Sequence, residues 1–394
     1  MLHRLFSALF FVMCLLPGLQ MLFSFSREEP LHGVEEPEKS VLPEFSLDAI
    51  RSDRFQKGVE SWFSHNLGYR PTLVRTDNQI NYSVFNEISA SYASPLVVGK
   101  SNALFEKLYI DSYAGRWFVP DKVLERSARK LEDLQNGLKE RGIGFLLLIT
   151  PSKASIYPEL IPDAYREPDF DYEKASNYHR FIPMLNRHRI NVLDGHATLE
   201  QMKSAQATPL FAKGGTHWTE NTACIVSKQM FAQLQEITGK PQPSVQCDPT
   251  EIRPIPDPFD RDLADLSNVL DPSPFYEQLP YPVAAPGFAA QSGQSRPKML
   301  FIGGSFLWSV FHYLDEQQTY ETRDMFYYFS RRFHYPGDHV EPINKGKLDW
   351  ENDVFRNDII VLEVNESSIH QLGSGFIAPA LKALGKDSKN GKTR

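Results

Sequence analysis

Two kinds of apolar pattern alternate along this chain. Unbroken apolar runs, Gly144 to Thr150, Met299 to Ile302 and Ile359 to Val364, read as strands buried on both faces. Ile190 to Asp194 reads as another strand, ending on a carboxylate, and Leu96-Val97-Val98-Gly99 closes a short one. Between them, apolar residues recur at helical spacing over Val123–Arg141, Asp171–His188, Thr219–Ile237 and Phe306–Tyr313. This alternation predicts an α/β fold, a parallel sheet covered by helices on both faces. Upstream, Phe55, Val59, Trp62 and Phe63 share one helical face and Pro71–Phe85 makes a second helix. A helical segment over 48–90 therefore precedes the α/β domain at 91–375. Residues 27–47, rich in Glu and Pro, read as a linker, 240–297 as an irregular insertion dense in Pro, Asp and Ser, and 376–394 as a flexible basic tail.

The N-terminus carries a different signal. Arg4 precedes an apolar run from Leu5 to Phe25, broken by Pro17-Gly18 and Gln20. Its length is that of one membrane span, roughly 20 residues. Residues 1–26 thus read as an uncleaved membrane anchor or, since Ser24-Phe25-Ser26 fits a small-x-small cleavage site, a removable signal peptide. Either form exports the chain, and a periplasmic location, held at the inner membrane by this segment, is expected. A net charge of −7 over 394 residues disfavours a nucleic-acid partner, which needs a basic face. The cysteines, Cys14, Cys224 and Cys247, have no metal-ligand spacing. Cys224 and Cys247 could pair in an oxidising compartment, or Cys224 could be a small apolar residue on a buried helix.

In a parallel sheet, ligands bind beyond the carboxyl ends of the strands. Thr150, Asp194, Ser305 and Asn365 all fall at or just past such ends. Ser305 follows Gly303-Gly304 and opens a helix, whose N–H groups and dipole suit a developing oxyanion. It could be acylated, or it could simply cap its helix. His217, in Gly214-Gly215-Thr216-His217-Trp218-Thr219, is the candidate base for that serine, against the alternative of a partly buried structural histidine. His196, just after the Asp194 strand end, has a weaker claim. A histidine base works best when a carboxylate fixes its tautomer. The acidic stretch Asp257 to Asp265 lacks the twelve-residue calcium-loop pattern and reads as a solvated loop. No metal or cofactor site is expected.

Several blocks resemble one family. Thr216-His217-Trp218, Gly303-Gly304-Ser305-Phe306 and Leu362-Glu363-Val364-Asn365-Glu366 are similar to those of the AlgJ/AlgX group, the SGNH-hydrolase-like alginate O-acetyltransferases. Trp62 to Pro71, Val97 to Phe105, Thr150 to Lys153 and Ile156-Tyr157-Pro158 agree, so the resemblance covers about residues 50 to 370. It implies an SGNH-like sheet and a periplasmic enzyme that acetylates an alginate-like exopolysaccharide through an acetyl-serine. The acetyl group would be handed over by a membrane-bound multi-pass acyl-donor protein. The family's orienting aspartate stands two residues before the histidine, where this chain has Gly215, and its serine commonly follows Asp or Thr, where this chain has Gly304. Carry-over therefore supports Ser305 and His217 as catalytic and leaves the third member open. Asp194, Glu220 or Glu366 could orient His217, Asn365 and Gly304 could support the oxyanion, and Lys153, Tyr157 and Trp218 could meet the sugar. The alternatives are a slow Ser–His dyad, a catalytically impaired polysaccharide-binding or scaffold protein, and an acetyl esterase using the same serine.

Overall fold

The apolar run at 144–150 forms strand β1, Gly144–Thr150, with every residue buried. Its side chains alternate between two cores, as a strand buried on both faces requires. Phe145, Leu147 and Ile149 join Leu131 and Leu138 of helix Asp121–Glu140 on one face. Leu146 and Leu148 join Val226, Met230 and Leu234 of helix Glu220–Thr238 and Leu307, Val310 and Leu314 of helix Phe306–Glu316 on the other. The computed structural model describes residues 2–33, 41–88, 94–205, 208–248, 250–283, 296–337 and 339–386. Parts of the expected linker, insertion and tail, at 34–40, 284–295 and 387–394, lie outside the described residues.

Continuing along the chain, the main sheet adds β2 Val192–Asp194, β3 Lys298–Gly303, β4 Thr322–Tyr327, β5 Arg331–Tyr335, β6 Val340–Pro342 and β7 Ile359–Asn365. In space the order is β6-β5-β4-β3-β7-β1-β2. β7 pairs parallel with both β1 and β3, with Asn365 opposite Thr150, and β1–β2 and β3–β4 are parallel too. The expected sheet, with helices on both faces, is therefore present, extended at one edge by the antiparallel pairs β4–β5 and β5–β6. Those edge strands were not legible as strands, because Arg323, Asp324 and Arg332 are buried charges on them. Each is paired, Arg332 donating to Asp324 at 2.7 Å and Arg323 to Asp315 at 2.9 Å, and an apolar alternation does not show.

Two compact units emerge, Gly99–Asp262 with Phe275–Arg394, and Met1–Val98 with Leu263–Pro274. The first holds the main sheet. The second contains helices Leu2–Phe23, Arg54–Asn66 and Arg70–Phe85. Part of the segment expected as an irregular insertion belongs to it: Asn78 donates to the carbonyls of Ser267 and Asn268 at 3.0 and 3.2 Å. Helix Leu2–Phe23 holds Pro17, and Gln20 folds back to donate to the Ser26 carbonyl at 2.7 Å. Among the described residues no helix is long and apolar enough to cross a membrane.

Two further differences concern the chain's later half. The start of the segment expected as a flexible tail is ordered, since Ile377–Ala383 is a helix with Ile377, Ala380 and Leu381 buried in the core. Cys224 and Cys247 form a disulfide, so the pairing alternative holds.

Candidate active site

Ser305 sits where β3 ends and helix Phe306–Glu316 begins. Its backbone is already helical, and its side chain makes no capping hydrogen bond. The hydroxyl instead lies 2.8 Å from His217 Nε2. On the far side of the ring, His217 Nδ1 lies 2.8 Å from Asp262 Oδ2. A carboxylate only accepts, so Nδ1 carries the hydrogen and Nε2 presents its lone pair to the serine. That tautomer is the one a base needs. The other carboxylate oxygen, Asp262 Oδ1, accepts from the Thr216 backbone N–H at 2.8 Å. One side chain thus fixes both the ring and the backbone carrying it.

The histidine loop is held from several directions. Thr219 caps helix Glu220–Thr238, Phe211 and Trp218 form an antiparallel bridge, and Thr216 donates to Glu106 at 2.8 Å. The Phe306 ring packs edge-on to His217 at 5.0 Å. Glu106 is held above the ordinary carboxylate range, chiefly by burial, with the Thr216 hydrogen bond opposing.

Asp262 lies in the acidic stretch expected as a solvated loop, which is therefore the main correction the structure makes. The loop folds against the histidine segment so closely that a Cβ on Gly215 would meet the Phe259 carbonyl oxygen at 2.7 Å and Asp260 backbone atoms at 3.0 Å. The glycine where the resemblance led to an expected aspartate is what lets this loop approach. Nothing in the stretch's spacing singled out Asp262 among its aspartates; the one available signal was an unassigned carboxylate cluster in a chain whose histidine lacked an orienter.

The carboxylates proposed as orienters are occupied elsewhere. Asp194 accepts from Tyr178 through both oxygens at 2.9 Å and from the Ala197 N–H at 3.0 Å. Glu220 is buried against His312 Nδ1 at 2.6 Å. Glu366 accepts from Ser152, Ser155 and Tyr172 and pairs with His196 Nδ1 at 2.7 Å. Asn365 spends its amide hydrogens on Thr150 Oγ1 and the Pro151 carbonyl, at 3.3 and 3.1 Å, rather than on an oxyanion. The Gly304 N–H donates to Glu363 Oε2 at 2.7 Å, and Thr150 donates to the other oxygen of that buried carboxylate at 2.6 Å. Gly304 and Asn365 therefore brace the site through other partners.

The residues expected to meet a sugar also divide. Trp218 is fully buried, its indole N–H donating to Ser309 at 2.7 Å, so it anchors the serine's helix instead of meeting substrate. Lys153 and Tyr157 border a surface cavity with Phe211 and Lys203. The Lys153 ammonium, however, turns inward to the carbonyls of Leu104, Ala212 and Lys213 at 2.7, 2.8 and 3.0 Å. Burial pulls it down to about 7, with the carboxylates of Asp262, Glu277, Asp260 and Glu106 opposing. It pins the segment leading to the histidine loop.

The chain is 26% identical over 204 residues to a probable alginate O-acetylase AlgJ of Pseudomonas fluorescens, covering 50% of this chain and 48% of that one. It thus spans about half the length of this relative. Among solved structures, it is similar to the O-acetyltransferase domain of Pseudomonas putida AlgJ (18% identity, 73% of this chain and 99% of that, TM-score 0.45). It is also similar to Pseudomonas aeruginosa AlgX (17% identity, 76% and 69%, TM-score 0.44). A family model described as "SGNH hydrolase-like domain, acetyltransferase AlgX" matches residues 96–306, a span that takes in His217, Asp262 and Ser305. Because that span is more than half of the chain, the protein belongs to the AlgX acetyltransferase family of SGNH hydrolase-like domains.

Proposed function

We propose that the protein is an O-acetyltransferase that acetylates hydroxyls of an alginate-like exopolysaccharide through an acetyl-Ser305 intermediate. The observation that carries this reading is the continuous hydrogen-bond chain Ser305–His217–Asp262. In the first half-reaction, Ser305 Oγ bonds to the acetyl carbonyl carbon and its proton passes to His217 Nε2. The leaving group takes that proton as the carbonyl re-forms. In the second, a sugar hydroxyl gives its proton to His217 and attacks the acetyl-serine, and His217 returns that proton to Ser305 Oγ as the bond from Oγ to the carbonyl carbon breaks. Asp262 holds the ring throughout and stabilises the imidazolium.

The relatives named for alginate support the acceptor class. The Cys224–Cys247 disulfide supports an exported, periplasmic site of action, since such bonds persist in oxidising compartments. The N-terminal segment serves as the export signal. A membrane-bound acyl-donor protein supplies the acetyl group.

The test is incubation of the purified protein with p-nitrophenyl acetate, with and without alginate oligosaccharides, followed by mass spectrometry. Acetyl adduct on Ser305 and acetylated sugar are expected, both lost in Ser305→Ala. Adduct discharged only to water, with the sugar unmodified, would sink the transferase assignment in favour of hydrolysis. Equal rates in wild type and Ser305→Ala would overturn the acyl-enzyme itself.

A further inference from the structure

The turn that carries Ser305 is covered by a residue of the edge strands. Tyr328 follows β4, and its backbone N–H donates to the Gly303 carbonyl at 2.9 Å. Its φ is +46°, a left-handed conformation that a bulky residue adopts only where surrounding contacts enforce it. The residue as a whole is 48% exposed, but its hydroxyl end lies over the nucleophile turn. A Cβ on Gly304 would meet the phenol oxygen at 2.8 Å and Cε1 and Cζ at 3.0 Å. The absent side chain at 304 is the space the phenol occupies. Ser305, through its side chain and its backbone, acts on this phenol in the lowering direction. Desolvation, then the Glu363 carboxylate, raises the phenol above its ordinary value, so it is neutral and keeps its proton to donate.

Two other donors near the turn are committed. The Gly304 N–H is held by Glu363, and the Asn365 amide by Thr150 and Pro151. We infer that Tyr328 is a catalytic residue whose hydroxyl, beside the Ser305 N–H, donates a hydrogen bond to the oxyanion formed when Ser305 attacks an acetyl ester. The inference rests on the acyl-enzyme reading above. In that step the new bond is Ser305 Oγ to carbonyl carbon, the hydroxyl proton goes to His217, and the carbonyl π pair moves onto oxygen. Tyr328 keeps its proton and follows that oxygen through collapse, when the carbonyl re-forms and the leaving group departs with the proton from His217. A single well-placed donor of this kind contributes about 10²- to 10³-fold in kcat.

The experiment compares full-length wild type with Tyr328→Phe, Gly304→Ala, their double variant and Ser305→Ala. p-Nitrophenyl acetate is the donor, and a small alkyl boronic acid is the tetrahedral analogue. Tyr328→Phe is expected to lower kcat about 100-fold with KM within about twofold, and to weaken boronate inhibition by a similar factor. Gly304→Ala, whose methyl displaces the phenol, is expected to give a comparable loss, and the double variant no more than the worse single one. If Tyr328→Phe retains kcat and boronate affinity while Ser305→Ala is inactive, the tyrosine's role falls and the acyl-enzyme stands. A rise in KM alone would likewise overturn it, marking Tyr328 as a substrate contact. If Ser305→Ala keeps wild-type activity, the underlying reading is what fails.

Discussion

At the scale of single residues, the site turns on where a carboxylate can be placed. Asp262 accepts from His217 and from the backbone of its neighbour Thr216, so removing its charge loosens two contacts at once. Asp262→Asn is expected to lower kcat for acetyl transfer by roughly 10³- to 10⁴-fold with little change in KM, read from p-nitrophenyl acetate kinetics. Adding Gly215→Asp to that variant should not restore activity, because the backbone of Phe259 and Asp260 fills the space that side chain needs. Recovery to within tenfold of wild type would show that the loop yields easily. Ser305 and His217 were legible in sequence because each lies in a short block at a strand or helix end, where chemistry is exposed. Asp262 was not, because its partner is 45 residues away, and only the fold says which aspartate of an acidic stretch returns to the histidine.

At the scale of elements, polar groups at the strand ends decide how the site is held. Glu366, just past β7, gathers Ser152 and Ser155 after β1, His196 after β2 and Tyr172 into one buried cluster. Burial alone would raise Glu366 and lower His196, but their mutual attraction leaves Glu366 below and His196 above its ordinary value. The signs then follow from linkage. The depressed carboxylate adds stability that is lost as pH falls through its folded value; the raised imidazole adds stability that is lost as pH rises through its own. Unfolding by urea across pH should therefore show this pair's contribution greatest between the ordinary carboxylate and imidazole values. Glu366→Gln should flatten both limbs, and an unchanged profile would remove the pair from the account. Lys153 is a second brace. Lys153→Met leaves the carbonyls of Leu104, Ala212 and Lys213 without their shared donor, and about 2–4 kcal/mol of stability should be lost. If Lys153 instead bound sugar, KM for the oligosaccharide would rise while the melting temperature stayed put. The central strands were readable because each is an unbroken apolar run. The β4–β6 edge, and Tyr328 with it, was hidden because buried ion pairs replace apolar residues there.

At the scale of the whole molecule, the α/β class followed from the alternation of runs, whereas the division of the chain did not. Residues 263–274 leave the sheet-bearing unit to join the N-terminal helices, and composition alone made them part of one long loop. The disulfide belongs to this scale. Cys247 ties back to Cys224 within helix Glu220–Thr238, while its neighbour Gln246 exchanges two hydrogen bonds with Gln317, at the end of the serine's helix. Chain-entropy reasoning for a closure of this length gives about 3 kcal/mol. Cys224→Ser with Cys247→Ser is therefore expected to lower the melting temperature by several degrees, and reductant should do the same to wild type alone. Identical melting with and without reductant would show that the bond contributes nothing.

The loop pressed over Gly215 also constrains how such a site changes over generations. With the loop in place, an aspartate at 215 has no room; with the loop drawn away, Asp262 no longer reaches the ring. The two arrangements of the carboxylate are separate solutions with a poorly active stretch between them. A lineage holding one would reach the other by changing loop and glycine together, or by passing through a period in which the site's activity was not under selection.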